Sequence, residues 1–305
     1  MNEAGVLVVD KTTGVTSFDA VALVRRRLGL KRVGHAGTLD PGASGVLPML
    51  LGEATKLMAY LAAQDKEYVA TLRLGVTTAT GDLSGRVLAQ APVPELERTQ
   101  VEAVCRPFVG PIKQVPPMYS AVHHGGRRLY ELAREGIEVV REPRAVVIHA
   151  IEVQEVAVPY LQVRVVCGKG TYLRTLAADL GTALGCGAAV ARLVRTRVGP
   201  FVRSEALAWE ALAGEQAATL WTRVRPAESA LAGWPAVRLD ARAMGRFEHG
   251  QSVEIAPPRV AAGTLVRVHA ADGRFVGVGE VVDGNRTRPV RVLHADRPGT
   301  RVRPA

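Results

Sequence analysis

Apolar positions change their spacing several times along the chain, and each change predicts an element. Residues 5–9, GVLVV, form a short β-branched apolar run, as expected of a buried strand. From Ser17 the spacing becomes helical: Phe18, Val21, Val24 and Leu28 recur at three- to four-residue intervals until Gly29, with Ser17 as N-cap. Residues 34–45, GHAGTLDPGASG, hold five Gly or Pro in twelve positions and read as loop. Residues 53–62 read as a short helix, and 67–74 alternate as a strand. Helices are predicted over 94–108, opened by Pro94, and 127–135, closed by Gly136. Strands follow at 144–157 and 161–167. A helix then runs from about Tyr172 to Leu184, with Leu173, Leu176, Ala177 and Leu180 on one stripe.

The pattern shifts at Gly233-Trp234-Pro235. Beyond it lie only short strands, near 264–270, 275–282 and 289–293, between Gly/Asp turns. The expected architecture is α+β: a main domain over 1–232, with a small all-β domain over 235–305.

Composition narrows the function. With 305 residues, 48% of them hydrophobic, the chain can bury a large core, and disorder is excluded as its general state. No stretch approaches the ~18–20 apolar residues of a membrane helix. The N-terminus lacks the basic and apolar regions of a secretory signal. Cys105, Cys167 and Cys186 are odd in number and far apart, which argues against a disulfide framework and fits a reducing, cytoplasmic setting. The formal charge of +10 changes the picture most, since it calls for a polyanionic partner, nucleic acid before membrane. Residues 234–305 carry 12 Arg, no Lys and 7 acidic residues, so 12 − 7 = +5, half the excess, lies there.

Nucleotide and hydrolase motifs fail. Gly29-Leu-Lys-Arg-Val-Gly34-His35 lacks the Lys and hydroxyl of a phosphate loop, and there is no GxGxxG, HExxH or GxSxG. Adjacent His123 and His124 point apart and make a poor metal site. Three segments hold chemistry. In the 34–45 loop, Pro41 forces Asp40 out of the α region, and flanking glycines allow close approach of a ligand. Asp65-Lys66-Glu67-Tyr68 opens a strand. Gly168-Lys-Gly-Thr-Tyr-Leu-Arg-Thr175 joins a strand to a helix and puts Arg174 in the first turn, where the helix dipole disfavours a cation unless it pairs with an anion.

These segments, with their neighbours, resemble the bacterial tRNA pseudouridine-55 synthases, the TruB family. The matching stretches are VLVVDKTTGVTSFDAV (6–21), GHAGTLDPGASGVLP (34–48), LGEATK (51–56), DKEY (65–68), PPMYSAVHHGGRRLYELAREG (116–136), GKGTYLRTLAADLG (168–181) and GCGAAVARLVRTRVGPF (185–201), in family order. The resemblance implies the pseudouridine synthase fold, a mixed and mostly antiparallel sheet with flanking helices, plus a PUA-like RNA-binding β-barrel at the C-terminus. It implies isomerisation of one uridine in the TΨC stem-loop of tRNA, with no cofactor, no metal and no obligatory protein partner. Asp40, Tyr68 and Arg174 are then the catalytic set. His35, Tyr172, Leu193, Arg127 and Arg128 are the substrate-binding set, and Lys11 joins it on charge alone.

Such chemistry needs a nucleophile or base that stays ionised beside a base turned out of its stack, a role the resemblance gives to Asp40. Arginine suits the partner role because it stays charged and presents a planar fork. The basic run Arg25, Arg26, Arg27, Lys31 and Arg32 leads into the His35 loop and is a candidate phosphate contact. Two positions depart from the family pattern. Thr12 stands where Pro is usual, and Ala79, in TTATGDLSG, stands where an aspartate is usual, with Asp82 matching a second acidic position. The alternatives are a guide-RNA-dependent subunit of the archaeal and eukaryotic type, and a tRNA-binding chaperone without catalysis. The long 77–136 segment and the lack of an extended basic tail favour the stand-alone enzyme.

Overall fold

The computed structural model describes residues 4–255 and 260–294. Its elements, in chain order, are β1 Gly5–Lys11, α1 Ser17–Leu28, β2 Val33–His35, β3 Ala43–Leu51, α2 Met58–Ala63, β4 Lys66–Leu74, β5 Gly110–Gln114, β6 Arg144–Ala157, β7 Tyr160–Cys167, α3 Leu173–Ala183 and β8 Ala188–Val198. The long strands form one mixed sheet in the order β1-β3-β8-β4-β7-β6-β5. Only β3 and β8 in that series run parallel; the other pairs are antiparallel. Alternation along β4 and β7 places every second residue in the core, where Leu72, Leu74, Val163 and Val165 pack under Leu173, Leu176 and Leu180 of α3. On the other half of the sheet, Val21, Val24 and Leu28 of α1 cover Leu7, Val9, Leu47 and Met49.

The predicted 34–45 loop is shorter than expected. Val33, Gly34 and His35 pair with Leu51, Leu50 and Met49, and Ala43–Gly45 pair with Leu193–Arg195, leaving 36–42 as the loop. Gly42 does sit in a turn, closed by the Ala43 N–H on the Asp40 carbonyl (3.0 Å), whereas Gly45, inside β3, marks close approach. Gly45 has φ +111°, and a Cβ on it would lie 2.1 Å from the Arg195 carbonyl oxygen. The N-cap of α1 is Thr16, whose side chain and that of Asp19 exchange bonds in a capping box; Ser17 is buried instead. The 53–62 helix divides into a 3-10 segment, Gly52–Leu57, and α2. The two middle helices shorten to Arg98–Cys105 and Leu129–Arg134. A small hairpin, His123–His124 with Arg127–Arg128, precedes the second.

The C-terminal region holds β9 Ala236–Leu239, α4 Ala241–Glu248, β10 Val253–Glu254, β11 Leu265–Ala270, β12 Phe275–Val281 and β13 Arg286–Val292. Its sheet order is β9-β11-β12-β13-β10. The all-β expectation is corrected by α4, which Asp240 caps through the Ala243 N–H and which buries Met244 and Phe247. Residues 256–259 and 295–305 of the predicted domain lie outside the described residues. This region is joined to the large sheet. Val278 and Leu293 share a core with Val6, Leu50 and Leu57, and the Lys56 ammonium donates to the Val292 carbonyl. No helix among the described residues is long and apolar enough to cross a membrane.

Candidate active site

The 36–42 loop is held at three points. The Ser17 hydroxyl accepts from the Leu39 N–H (2.9 Å) and donates to the Leu39 carbonyl (3.1 Å), and the Gly14 N–H donates to the Pro41 carbonyl (2.9 Å). From the floor of the site, Arg195 donates through Nη1 to Thr38 and through Nη2 to Gly37. Asp40 sits between these fixings and faces a cavity of about 280 Å³.

Arg174 reaches the same cavity from the first turn of α3. Only 7% of its side chain is exposed, and its Nε lies 2.9 Å from Asp40 Oδ2. Its other nitrogens donate to the carbonyls of Thr80 (2.9 Å) and Tyr119 (2.8 Å). One planar guanidinium thus binds three separate segments at once, a geometry an ammonium cannot reproduce. The dipole conflict noted in the sequence is resolved by the Asp40 carboxylate.

Ala79 makes no side-chain bond in this arrangement; its N–H donates to Arg86. The turn is held by Asp82, whose Oδ1 accepts from the Thr80 hydroxyl (2.7 Å), the Ser84 hydroxyl and the Ser84 N–H (3.0 Å). Burial alone would raise the Asp82 carboxyl, but the Ser84 and Thr80 bonds outweigh it and hold it below its ordinary value.

Tyr68, Tyr172 and Leu193 also line the cavity. Tyr172 is pinned by Gln114, whose Oε1 accepts its N–H (3.0 Å). Tyr68 is 8% exposed. Burial pushes its hydroxyl up from the usual phenol range, and the Arg195 charge works against that rise.

Two lining residues, Lys66 and Arg195, were assigned no role in the sequence reading. The Lys66 ammonium donates to the Ala62 (2.6 Å) and Gln64 (2.5 Å) carbonyls, and burial, then Arg195, lower it to about 8. The unfolded chain therefore binds the extra proton between about pH 8 and 10.5, so this residue adds stability as pH rises through that window. Thermal melts of wild type against Lys66→Met should show the wild type gaining on the variant from pH 8 to 10.5. A constant gap between them would contradict the buried ammonium.

Four predicted substrate-binding residues lie outside the cavity lining. Half-buried His35 sits on β2, its imidazole lowered by burial and then by Arg195, and its Nδ1 is buried with no hydrogen-bond partner among the described residues. Arg127 and Arg128 are exposed on the hairpin strand; Arg127 pairs with Glu135, and Arg128 begins the helix that follows. The expectation for Lys11 needs correction. It is fully buried, and its ammonium donates to the Thr12 and Val15 carbonyls (both 2.8 Å), so it holds the 12–15 loop and offers no charge at the surface. Those bonds also fix Thr12, the residue standing where proline is usual.

The TruB family pseudouridylate synthase N-terminal domain matches residues 25–173, the tRNA pseudouridylate synthase B C-terminal domain matches 174–232, and the pseudouridine synthase II TruB C-terminal region matches 235–293. The tRNA pseudouridine synthase B of Nitrosococcus oceani is 44% identical over 292 residues, 95% of this chain and 94% of that protein. The protein of the same description from Burkholderia pseudomallei is 46% identical over 284 residues, 92% of this chain and 94% of its own. The chain belongs to the TruB family. Among solved structures it is similar to an H/ACA RNP bound to a substrate RNA containing 2′-deoxyuridine, at 26% identity and a TM-score of 0.73, over 95% of this chain and 85% of that one. It is also similar to a Cbf5-Nop10-Gar1 complex, at 27% identity and a TM-score of 0.72, over 97% of this chain and 84% of that one. The TruB membership accounts for the fold, a pseudouridine synthase sheet followed by a PUA-like C-terminal sheet. In this TruB chain the Asp40–Arg174 pair, both tyrosines and Leu193 share one cavity.

Proposed function

We propose that the protein is a tRNA pseudouridine synthase that isomerises uridine-55 in the TΨC loop and acts without guide RNA or partner protein. The observation that carries this reading is the Asp40 carboxylate, ion-paired at 2.9 Å to a buried arginine inside a cavity walled by Tyr68, Tyr172 and Leu193. Isomerisation requires the uracil to leave its stack, at a cost of a few kcal/mol, and to enter a pocket that packs its faces and presents an anionic oxygen to the ribose and ring. Tyr68 supplies a ring face for stacking and a hydroxyl for proton transfer at C5. Leu193 supplies an apolar wall. His35, at the loop edge, fills the space the base vacates.

Identity of 44–46% to tRNA pseudouridine synthase B proteins, against 26–27% to the ribonucleoprotein subunits, favours the stand-alone enzyme over the guided one. Retention of the Asp40–Arg174 pair favours an enzyme over a chaperone, because binding alone has no use for it. Purified protein mixed with tRNA transcript carrying tritium at uridine C5 should release about one tritium per tRNA with nothing else added. Release only after guide RNA or partner proteins are added would favour the guided alternative, and no release under any condition would sink the reading.

Binding should be strongly salt-dependent. Arg26 and Lys31 are exposed at the end of α1, and Arg127 and Arg128 project from the hairpin. Neutralising about four phosphates would weaken binding by roughly 100-fold when salt rises fourfold. A flat response in filter-binding titrations would contradict the phosphate contacts.

A further inference from the structure

We infer that Arg195 is a positioning residue for this reaction: from beneath the cavity it locks the Asp40 loop and the Tyr68 strand to one another. The inference rests on the isomerase reading above and adds a residue that reading does not use.

Arg195 lies on β8, between β3 and β4, and is 1% exposed. Its Nε donates to the Val46 carbonyl (2.8 Å), Nη1 to Thr38 (3.3 Å) and Nη2 to Gly37 (3.0 Å). Those acceptors lie on both sides of Asp40 in sequence, so one side chain fixes the loop where it leaves β2 and where it enters β3. In the strand register, Arg195 stands opposite Tyr68 on β4 and opposite Gly45 on β3. Directly opposed residues in an antiparallel pair project to the same face, so the Tyr68 ring and the Arg195 stem are neighbours. Both line the cavity, along with Asp40. Gly45 is part of the same device, because the absence of a Cβ there lets the Arg195 backbone pass against β3.

The charge also needs an account. Among the described residues, no carboxylate lies within 4.0 Å of the Arg195 guanidinium. Buried charge without a counter-ion is costly, and an apolar side chain of similar size would pack the same space at lower cost. Two further buried cations, Lys11 and Lys66, are disfavoured in charged form partly by Arg195 itself. Asp40 is the single acidic side chain on the cavity lining. A buried guanidinium kept without a counter-ion, on the lining of the cavity that holds Asp40, is a mark of function.

The test uses purified full-length Arg195→Lys, Arg195→Met and Arg195→Ala proteins with tRNA, read as single-turnover rate, KM, binding and melting temperature. Misplacing reacting groups by about 1 Å costs on the order of 100-fold in rate, so Arg195→Met and Arg195→Ala should lose about that much in kcat. KM and tRNA affinity should stay within about threefold. Arg195→Lys should retain an intermediate rate, because it keeps the charge and one or two of the three bonds. Since the side chain borders the cavity, millimolar methylguanidinium should raise the Arg195→Ala rate at least tenfold and leave wild type unchanged; a purely structural role would not move that readout. Arg195→Met fills the space and keeps the question open to measurement should Arg195→Ala not fold. Folded Arg195→Met with wild-type kcat, or a loss seen wholly in KM, would overturn the inference. Wild-type protein that makes no pseudouridine would instead sink the isomerase reading itself.

Discussion

Asp40→Asn abolishes isomerisation and leaves tRNA binding intact: this is the largest effect expected of any single substitution here. Asparagine keeps the shape of the side chain and can still accept a bond from Arg174. It cannot supply a negatively charged oxygen to the ribose or the uracil ring. Removing the proposed reacting carboxylate from a site that otherwise stays assembled should cost roughly 10⁴-fold or more in rate. Stability should hardly change, since Asp40 is 41% exposed and the 36–42 loop is fixed by Ser17, Gly14 and Arg195 independently of the carboxylate. Tritium release and gel-shift titration on one preparation separate the two functions. Turnover near wild type would remove Asp40 from the chemistry, and lost binding with an unchanged melt would make it an RNA contact.

Arg174→Lys is expected to be the next most damaging change, through geometry more than charge. The guanidinium serves Asp40, the Thr80 carbonyl and the Tyr119 carbonyl together. An ammonium at that depth reaches one of them well and leaves half-buried carbonyls without their donors, at about 1 kcal/mol each. The ion pair itself is half open at the Asp40 end, so its loss adds less than a fully buried pair would. A melting temperature lower by several degrees and a rate lower by about 100- to 1000-fold should therefore appear together. A variant with both values near wild type would mean that the carboxylate needs no fork to hold it.

The parts of this site legible in the sequence are those where a residue type is unusual for its place. Arg174 stood in a helix first turn that disfavours cations, and Asp40 stood before proline in a glycine-rich loop. The structure joins them in one ion pair. Strands β1, β4, β6 and β7 were legible because alternation or β-branched runs fix which face is buried. Strand β8 was not: ARLVRTRV mixes arginine with apolar residues, and buried Arg195 breaks the rule that charge faces water. Reading 188–198 as a strand would have put Leu193 and Arg195 on one face and exposed Arg195 as a site residue. Ser17 looked like a helix cap because a serine directly precedes the first helically spaced residue; its bonds to Leu39 depend on a loop 22 residues away, which local pattern cannot reveal. Lys11 suggested a surface contact by residue type alone, yet nearby carbonyls at Thr12 and Val15 satisfy it in the interior. The helix at 241–248 was missed because the strands around it dominated the pattern.

The central claim is that the Asp40 cavity takes one everted uridine from the TΨC loop of tRNA. Position-resolved mapping of pseudouridine in an unmodified tRNA transcript, after incubation with purified protein alone, tests it most directly. The expected result is near-complete conversion at position 55 and none elsewhere, lost in Asp40→Asn. Conversion at other uridines with position 55 untouched, or equal conversion by Asp40→Asn, would contradict it.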